Sequence, residues 1–248
     1  MRDILDIAYC GNDCPMQRLD LHLPETDTFP VFVYFHGGGL ESGSRRDTGV
    51  LDTYLTAHGV AVVEVEYRMY PTARFPDFVE DAAAAVAWVC THIAEYGQAT
   101  DIYVGGSSAG GYLSMMLCFD KQWLAPYGID PATLAGFVHD AGQPTTHFNI
   151  LRERGVDSRR VMIDEAAPLY HIGTANELPP MLFIVSDDDM VGRFEQTQLV
   201  LATLRHFGHD MCRVHYQEMH GQHCAYVGKC DENGDSVLGK IVLQFMQK

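Results

Sequence analysis

Six short, almost uninterrupted runs of apolar residues recur along the chain. They are V-F-V-Y-F (31–35), V-A-V-V-E-V (60–65), I-Y-V-G (102–105), L-A-G-F-V-H (134–139), M-L-F-I-V (181–185) and C-R-V-H-Y (212–216). Strands of this character are typically buried on both faces, as in parallel sheets. The runs therefore predict a mostly parallel sheet that is covered on both sides.

The N-terminal stretch has a different pattern, in which apolar and polar residues alternate. Two such runs, Ile4 to Tyr9 and Gln17 to Leu23, are separated by the turn-forming cluster G-N-D-C-P. Alternation of this kind on both sides of a turn predicts an antiparallel hairpin at the start of the sheet.

Helix-like segments lie between the apolar runs, at Asp77–Tyr96, Ala109–Phe119, Phe194–Phe207 and Asp235–Gln247. Strands alternating with helices predict a doubly wound α/β fold, in which ligands bind at the carboxyl ends of the strands. No repeat, low-complexity tract or linker interrupts the pattern, so we expect residues 1–248 to form a single domain.

One connection between core strands is unusually long, from about residue 141 to residue 180. Connections of that length in a compact domain generally have a function or carry short helices of their own. We expect this segment to form a small cap over the ligand crevice.

The strongest chemical signal is Gly106-Ser107-Ser108-Ala109-Gly110, which matches G-x-S-x-G between a predicted strand and a predicted helix. A serine in such a sharp turn adopts a strained backbone and projects its hydroxyl into the crevice, and small neighbours avoid clashes there. We therefore expect Ser108 to be a nucleophile.

A second signal, V-Y-F-H-G-G-G (33–39), follows the first predicted parallel strand. The tetrahedral oxyanion of acyl transfer needs backbone N–H donors with small side chains around them. Gly37 and Gly38 can present such donors, and Ala109 can supply another, so these three residues form the candidate oxyanion hole.

A serine nucleophile also needs a base and a group that orients the base. His223, in E-M-H-G-Q-H-C, and Asp189, in I-V-S-D-D-D-M, each follow an apolar strand in the chain order expected after such a serine. Alternatives remain open: Asp187 and Asp188 stand beside Asp189, His220 competes with His223, and Asp140 offers a carboxylate from another loop.

The formal net charge of −16 argues against nucleic acid or an anionic membrane surface as a partner and favours a neutral or cationic small substrate. The chain has no apolar run of membrane-spanning length, and its first residues, M-R-D-I-L-D-I, include acids. We therefore expect a cytoplasmic protein.

The seven cysteines are spread over the chain and are expected to be free thiols. Five of the twelve histidines cluster near Cys224 (His206, His209, His215, His220 and His223), but without H-E-x-x-H or paired C-x-x-C spacing. We expect no catalytic metal and no cofactor.

Together, H-G-G-G and G-x-S-A-G-G make the chain resemble the α/β-hydrolase superfamily, in particular the hormone-sensitive-lipase-like esterases and the small acetyl and carbohydrate esterases. A third segment, E-Y-R-M-Y-P-T-A-R-F-P-D-F-V-E-D-A (66–82), is similar to one that precedes a helix in that group. The resemblance implies an α/β-hydrolase fold and structural roles for Arg68 and Asp81. Leu40 and Glu41 depart from the aromatic residue that many small relatives carry after the glycines.

The resemblance implies a serine carboxylesterase that cleaves short, acetyl-like esters, possibly of carbohydrates, through an acyl-enzyme. An arylformamidase, amidase or peptidase could use the same triad. A non-catalytic binding protein on this fold is a further alternative, although such proteins typically lose the serine, the histidine or the oxyanion glycines.

Overall fold

The computed structural model describes residues 2–173 and 177–248, and an eight-stranded sheet runs through these residues. The strands are β1 (Arg2–Ala8), β2 (Arg18–Leu23), β3 (Thr28–Phe35), β4 (Ala61–Val65), β5 (Gln98–Ser107), β6 (Gly136–Asp140), β7 (Met181–Asp188) and β8 (Val214–Gln222). Each predicted run coincides with one of these strands.

The strand order across the sheet is β1-β2-β4-β3-β5-β6-β7-β8. The first two strands pair antiparallel with each other, and β2 pairs antiparallel with β4, whereas all later pairs are parallel. This arrangement confirms the predicted N-terminal hairpin and the mostly parallel α/β sheet. The carboxyl ends of the parallel strands meet at one edge, where the candidate site residues follow them.

Side chains of the central strands alternate between two hydrophobic cores, one on each face of the sheet. In β3, Val31, Val33 and Phe35 belong to one core, while Phe32 and Tyr34 belong to the other. Because both faces are covered, nearly every position of these strands is apolar, which produced the continuous runs in the sequence.

Six α-helices lie among the described residues: α1 (Leu51–Ala57), α2 (Asp77–His92), α3 (Ala109–Phe119), α4 (Phe148–Glu153), α5 (Arg193–His206) and α6 (Val237–Met246). Residues of α2, α3 and α5 pack into one core, and residues of α1 and α6 into the other. The four predicted helices are confirmed. The helices α1 and α4 were not predicted, because seven and six residues are too few to show a helical period.

The connection after β6 contains α4 and a short 3₁₀ helix at Pro168–His171. Asn149 donates its side-chain amide to the carbonyl oxygen of Gly39 at 2.8 Å, which joins this segment to the loop after β3. Residues 174–176 of the predicted 141–180 cap lie outside the described residues, as does Met1.

The turn between β5 and α3 touches the end of β3, and glycine makes this approach possible. A Cβ atom on Gly110 would lie 1.9 Å from the carbonyl oxygen of Phe35, and one on Gly106 would lie 2.5 Å from the same oxygen. Neither distance is physically tolerable for a side chain, so the two glycines fix how closely helix and strand pack.

Substituting Gly110→Ala should lower the free energy of unfolding by about 3 kcal/mol or more, since the added methyl group overlaps strand backbone that cannot move aside. Chemical denaturation measures the change. Gly128→Ala is the control, because its Cβ meets nothing within 4 Å and only the positive φ of 71° opposes it. That variant should lose about 1–2 kcal/mol, and an equal loss in both variants would contradict the packing argument.

Candidate active site

Ser108 occupies the sharp turn between β5 and α3, with φ 56° and ψ −110°. This left-handed conformation is costly for a residue with a side chain, and it turns the hydroxyl away from the strand. The backbone N–H of Ser108 donates to the carbonyl oxygen of Asp140 at 2.7 Å, which fixes the turn to the end of β6.

Ser108, His223 and Asp189 form a continuous chain of hydrogen bonds. The Nε2 atom of His223 lies 2.8 Å from the hydroxyl oxygen of Ser108, and its Nδ1 atom lies 2.6 Å from a carboxylate oxygen of Asp189. The three side chains come from the loops after β5, β8 and β7. The imidazole is thus placed to accept a proton from the serine while the carboxylate fixes its tautomer.

The Asp189 side chain is fully buried in this arrangement. Burial by itself would raise the pKa of Asp189, but hydrogen bonds from His223 and from the backbone N–H groups of Met190 and Ser186 outweigh it and lower the pKa below its usual value. The carboxylate therefore stays ionised opposite the imidazole.

The neighbouring acids behave differently. Asp187 accepts a hydrogen bond from His220 at 2.7 Å, but His220 is 92% exposed and this pair lies on the surface. Asp188 is exposed as well. The structure therefore brings Asp189 and His223 to the serine, and it pairs the competing aspartate and histidine with each other.

Gly37 and Gly38 line the same cavity as Ser108, and Ala109 directly follows the serine in the sequence. Within residues 2–173 and 177–248, no backbone hydrogen bond outside the helices and strands uses the N–H of Gly37, Gly38 or Ala109. A Cβ on Gly37 would come within 3.3 Å of the Ser108 Cβ, so the glycine backbone lies directly against the serine. These N–H groups are available to an oxyanion formed at Ser108.

Buried polar groups hold the glycine loop, residues Gly37–Gly39 after β3, in place. His36 Nε2 lies 3.0 Å from Glu66, its ring stacks on Tyr67, and the Tyr67 hydroxyl donates to the His36 carbonyl oxygen at 2.9 Å. Burial would raise the pKa of Glu66, but His36 and Arg45 lower it, so the loop is anchored to an ionised carboxylate.

Arg68 and Asp81, for which the resemblance implied structural roles, form an ion pair in which the carboxylate is buried and the guanidinium is partly exposed. The Arg68 guanidinium donates to Asp81 at 2.8 Å, and the Arg68 backbone N–H donates to the same carboxylate at 2.9 Å. Gln17 completes the set with a 2.6 Å hydrogen bond to Asp81. None of the three lines the cavity beside Ser108.

Asp140 lies in a buried hydrogen-bond network behind the serine and does not contact His223. Its carboxylate accepts from the hydroxyls of Ser107 and Tyr226, and Ser107 accepts in turn from Tyr34 at 2.8 Å. Burial raises the pKa of Asp140 to about 6. Because Tyr226 follows His223 by three residues, this network joins the histidine loop to the nucleophile turn.

A cavity of about 450 Å³ opens at Ser108. Its wall includes the glycine loop, Phe148 from the cap, Met190, Cys224 and the exposed Asp47. The Cys224 sulfur lies 3.7 Å from His223 Nε2, but burial raises the pKa of this thiol well above its usual value, which leaves Ser108 as the better-activated nucleophile.

Phe148 is the one described residue of the 141–180 connection that lines this cavity. His147 is buried, and it accepts a hydrogen bond from the Asn149 backbone N–H at the start of α4. Arg152 pairs with Glu41 and Arg154 pairs with Asp164, while Tyr170 is exposed.

Comparison with known proteins finds similar sequences and similar folds. The BD-FAE family model matches residues 19–125. A solved structure described as a truncated form of carbohydrate esterase from gut microbiota superposes with a TM-score of 0.76 at 16% identity, covering 100% of this chain and 97% of the other. The chain is an α/β-hydrolase by fold.

Curated relatives of this chain carry esterase names. It is 37% identical over 105 residues to a probable isoprenylcysteine alpha-carbonyl methylesterase, ICMEL1, of Arabidopsis thaliana. The aligned segment covers 41% of this chain and 22% of the relative. It is 29% identical to the probable carboxylic ester hydrolase LipM of Mycobacterium tuberculosis over 76% of this chain and 47% of the relative. The chain therefore spans less than half the length of either protein. None of its described helices is long and apolar enough to cross a membrane.

The raised pKa of Asp140 should have a measurable effect on the stability of the folded protein. Between about pH 4 and pH 6 the native state binds a proton at Asp140 that the unfolded chain has already released, so this group's contribution is present below pH 4 and lost as the pH rises through 6. The free energy of unfolding of wild type, measured against that of Asp140→Asn in urea, should fall by up to about 3 kcal/mol over this range.

Asp187→Asn provides the comparison for that measurement. Hydrogen bonds from His220 and from the Gly221 backbone N–H lower the pKa of Asp187, so its difference curve should not fall with pH. If the difference in unfolding free energy between wild type and Asp140→Asn stayed flat or rose with pH, burial would not be holding the Asp140 carboxyl in its protonated form.

Proposed function

We propose that the chain is a serine carboxylesterase that hydrolyses short-chain, acetyl-like esters of small molecules. The observation that carries this proposal is the hydrogen-bonded chain Ser108–His223–Asp189. Its serine and histidine line the same cavity as the glycine loop. The esterase names of the curated relatives support it.

In the proposed acylation step, the Ser108 oxygen attacks the ester carbonyl carbon while His223 Nε2 accepts the hydroxyl proton. The negative charge that develops on the carbonyl oxygen is stabilised by the N–H groups of Gly37, Gly38 and Ala109. His223 then gives its proton to the leaving alcohol as the carbon–oxygen bond breaks, which leaves an acyl group on Ser108.

Water completes the cycle in the reverse sense. His223 takes a proton from the water molecule, the resulting hydroxide attacks the acyl carbonyl, and the proton returns to the Ser108 oxygen as the acid departs. Asp189 remains ionised throughout and stabilises the imidazolium that forms twice per turnover.

The size of the cavity supports a short acyl group. The Phe148 ring lies against the glycine loop, since a Cβ on Gly39 would meet its Cζ at 3.0 Å. Asn149 ties the same segment to the Gly39 carbonyl oxygen, so the ring is held in place beside the oxyanion donors. A long acyl chain would have to displace this ring.

Charge favours a neutral or cationic alcohol group. The exposed carboxylate of Asp47 lines the cavity, and the whole chain carries a formal net charge of −16. An anionic leaving group would be repelled by both. Sugars are neutral polyhydroxy alcohols, so we include carbohydrate esters in the proposed substrate class.

The proposal is tested with a fluorophosphonate probe and p-nitrophenyl acetate, butyrate and octanoate. Wild type should be labelled and should prefer acetate, whereas Ser108→Ala should lose the label and at least about 10⁴-fold in kcat, because no other group can form the acyl-enzyme. Ser107→Ala is the neighbouring control and should keep the label.

An arylformamide and a peptide p-nitroanilide belong in the same panel, because the triad itself could attack either. Faster cleavage of one of these amides than of acetate would replace the esterase proposal with an amidase or peptidase. A folded wild type that is neither labelled nor active on any substrate would overturn the enzymatic proposal.

The two aspartate–histidine pairs offer a matched test of the triad acid. Asp189→Asn should reduce kcat by about 10⁴-fold, since an amide cannot stabilise the imidazolium and favours the wrong tautomer. Asp187→Asn removes the equivalent partner of His220 and should change kcat less than twofold. If the two variants lose activity equally, Asp189 does not have the proposed role.

The Phe148 ring provides the test of acyl selectivity. Phe148→Ala should raise the ratio of kcat/KM for octanoate over acetate by about tenfold, because the ring no longer limits the length of the acyl pocket. Phe207→Ala, at an exposed phenylalanine outside this cavity, should leave the ratio unchanged. An unchanged ratio in Phe148→Ala would show that another wall sets the length limit.

A further inference from the structure

A second cluster of chemically active side chains lies beside helix α1, away from the residues that line the cavity. His22 of β2, Glu64 of β4 and Asp52 of α1 each offer a ligand atom, and these three atoms lie within 4.8 Å of one another. The alternation of β2 explains the placement, because Leu19, Leu21 and Leu23 fill the opposite core and turn His22 toward α1.

Glu64 is the most unusual member of this cluster. The residue is 3% exposed, and its Oε1 atom is buried without a hydrogen-bond partner. Among the described residues its one ion-pair partner is His22, at 3.4 Å, with no lysine or arginine nearby. A buried carboxylate left this incompletely paired is costly, and an ion is one of the recognised explanations.

The histidine is oriented as metal-binding histidines usually are. Its Nδ1 atom lies 2.9 Å from the Asp3 carboxylate of β1, which makes Nδ1 the natural site of the ring proton. Its Nε2 atom is buried, has no hydrogen-bond partner and faces Glu64. A carboxylate on one nitrogen and an open lone pair on the other is the arrangement that positions imidazole ligands of zinc.

The separation of the facing atoms fits a shared ion. Nε2 of His22 and Oε2 of Glu64 are 3.4 Å apart, beyond the usual length of a direct hydrogen bond. Two ligands that each bind Zn²⁺ at about 2.1 Å in tetrahedral geometry lie about 3.4 Å from one another. Asp52 adds a second carboxylate from the helix. Its Oδ2 atom lies 4.0 Å from Nδ1 of His22, and one ligand atom from each of the three residues lies within 4.8 Å of the others.

We propose that His22, Glu64 and Asp52 bind a divalent cation of the Zn²⁺ class, which joins β2, β4 and α1. The mixed set of one imidazole and two carboxylates favours a first-row transition ion over Mg²⁺ or Ca²⁺. Its role is structural, because none of these residues lines the cavity at Ser108. The proposal is independent of the proposed esterase activity.

A proton is the competing occupant of the cluster. Burial would lower the pKa of His22, but the carboxylates of Glu64, Asp3 and Asp52 raise it to about 9, so without metal an imidazolium can bridge these groups. The experiment must therefore separate a metal site from a proton-bridged ion pair.

The 248-residue chain, stripped with a chelator and dialysed, should bind one equivalent of Zn²⁺ in calorimetry. At Zn²⁺ concentrations about 100-fold above Kd, its Tm should rise by about 5 to 10 °C. Glu64→Gln should weaken binding by at least about 100-fold and Asp52→Asn by about tenfold. His58→Gln, at an exposed histidine just after α1, should bind as wild type does.

Co²⁺ substitution gives a readout that does not depend on stability. An intense visible absorption band typical of four-coordinate Co²⁺ should appear in wild type and in His58→Gln. Asp52→Asn, which leaves the buried His22–Glu64 pair in place, should fold and lose the band. Absence of stoichiometric Zn²⁺ binding, or binding that is unchanged in both cluster variants, would overturn the proposal and leave His22 as a proton-bridged ion pair.

Discussion

The close approach of three backbone segments around Ser108 is the constraint on which the rest of the site depends. Strand β3 ends against the first turn of α3 because Gly106 and Gly110 have no side chains, and the Ser108 N–H is fixed by the end of β6. This contact holds the serine at a positive φ and brings the glycine loop within reach of its hydroxyl. The glycine loop, Asp189 and His223 come directly after β3, β7 and β8, so they lie at the same edge of the sheet.

Much of this could be predicted from the sequence, because the relevant signals are local. Continuous apolar runs predicted the buried strands. The glycine loop and the serine turn could be recognised because small residues directly follow the runs at 31–35 and 102–105. The choice of Asp189 over Asp187 was harder, since neighbouring residues of a loop after a strand have no periodic constraint. Only the structure shows that Asp187 is paired with His220 at the surface.

Long-range polar contacts escaped the sequence for a different reason. Asp140 was considered as a rival acid. Its burial against Ser107 and Tyr226 depends on the ends of β5 and β6 meeting the segment after β8, which no local sequence pattern predicts. The cluster of His22, Glu64 and Asp52 is similar, because its members lie on two strands and a seven-residue helix that the pattern did not reveal. One signal was present in β4, where Glu64 is a polar position within an otherwise apolar strand.

We propose above all that the Ser108 oxygen attacks the carbonyl carbon of an ester while N–H groups of the glycine loop bind the carbonyl oxygen. A crystal structure of the protein inhibited by a short alkyl phosphonate tests it most directly. We expect a bond from phosphorus to the Ser108 oxygen. The phosphonyl oxygen should lie about 2.7–3.1 Å from at least two of the backbone nitrogens of Gly37, Gly38 and Ala109. An adduct on another residue, or a phosphonyl oxygen that points to solvent, would contradict it.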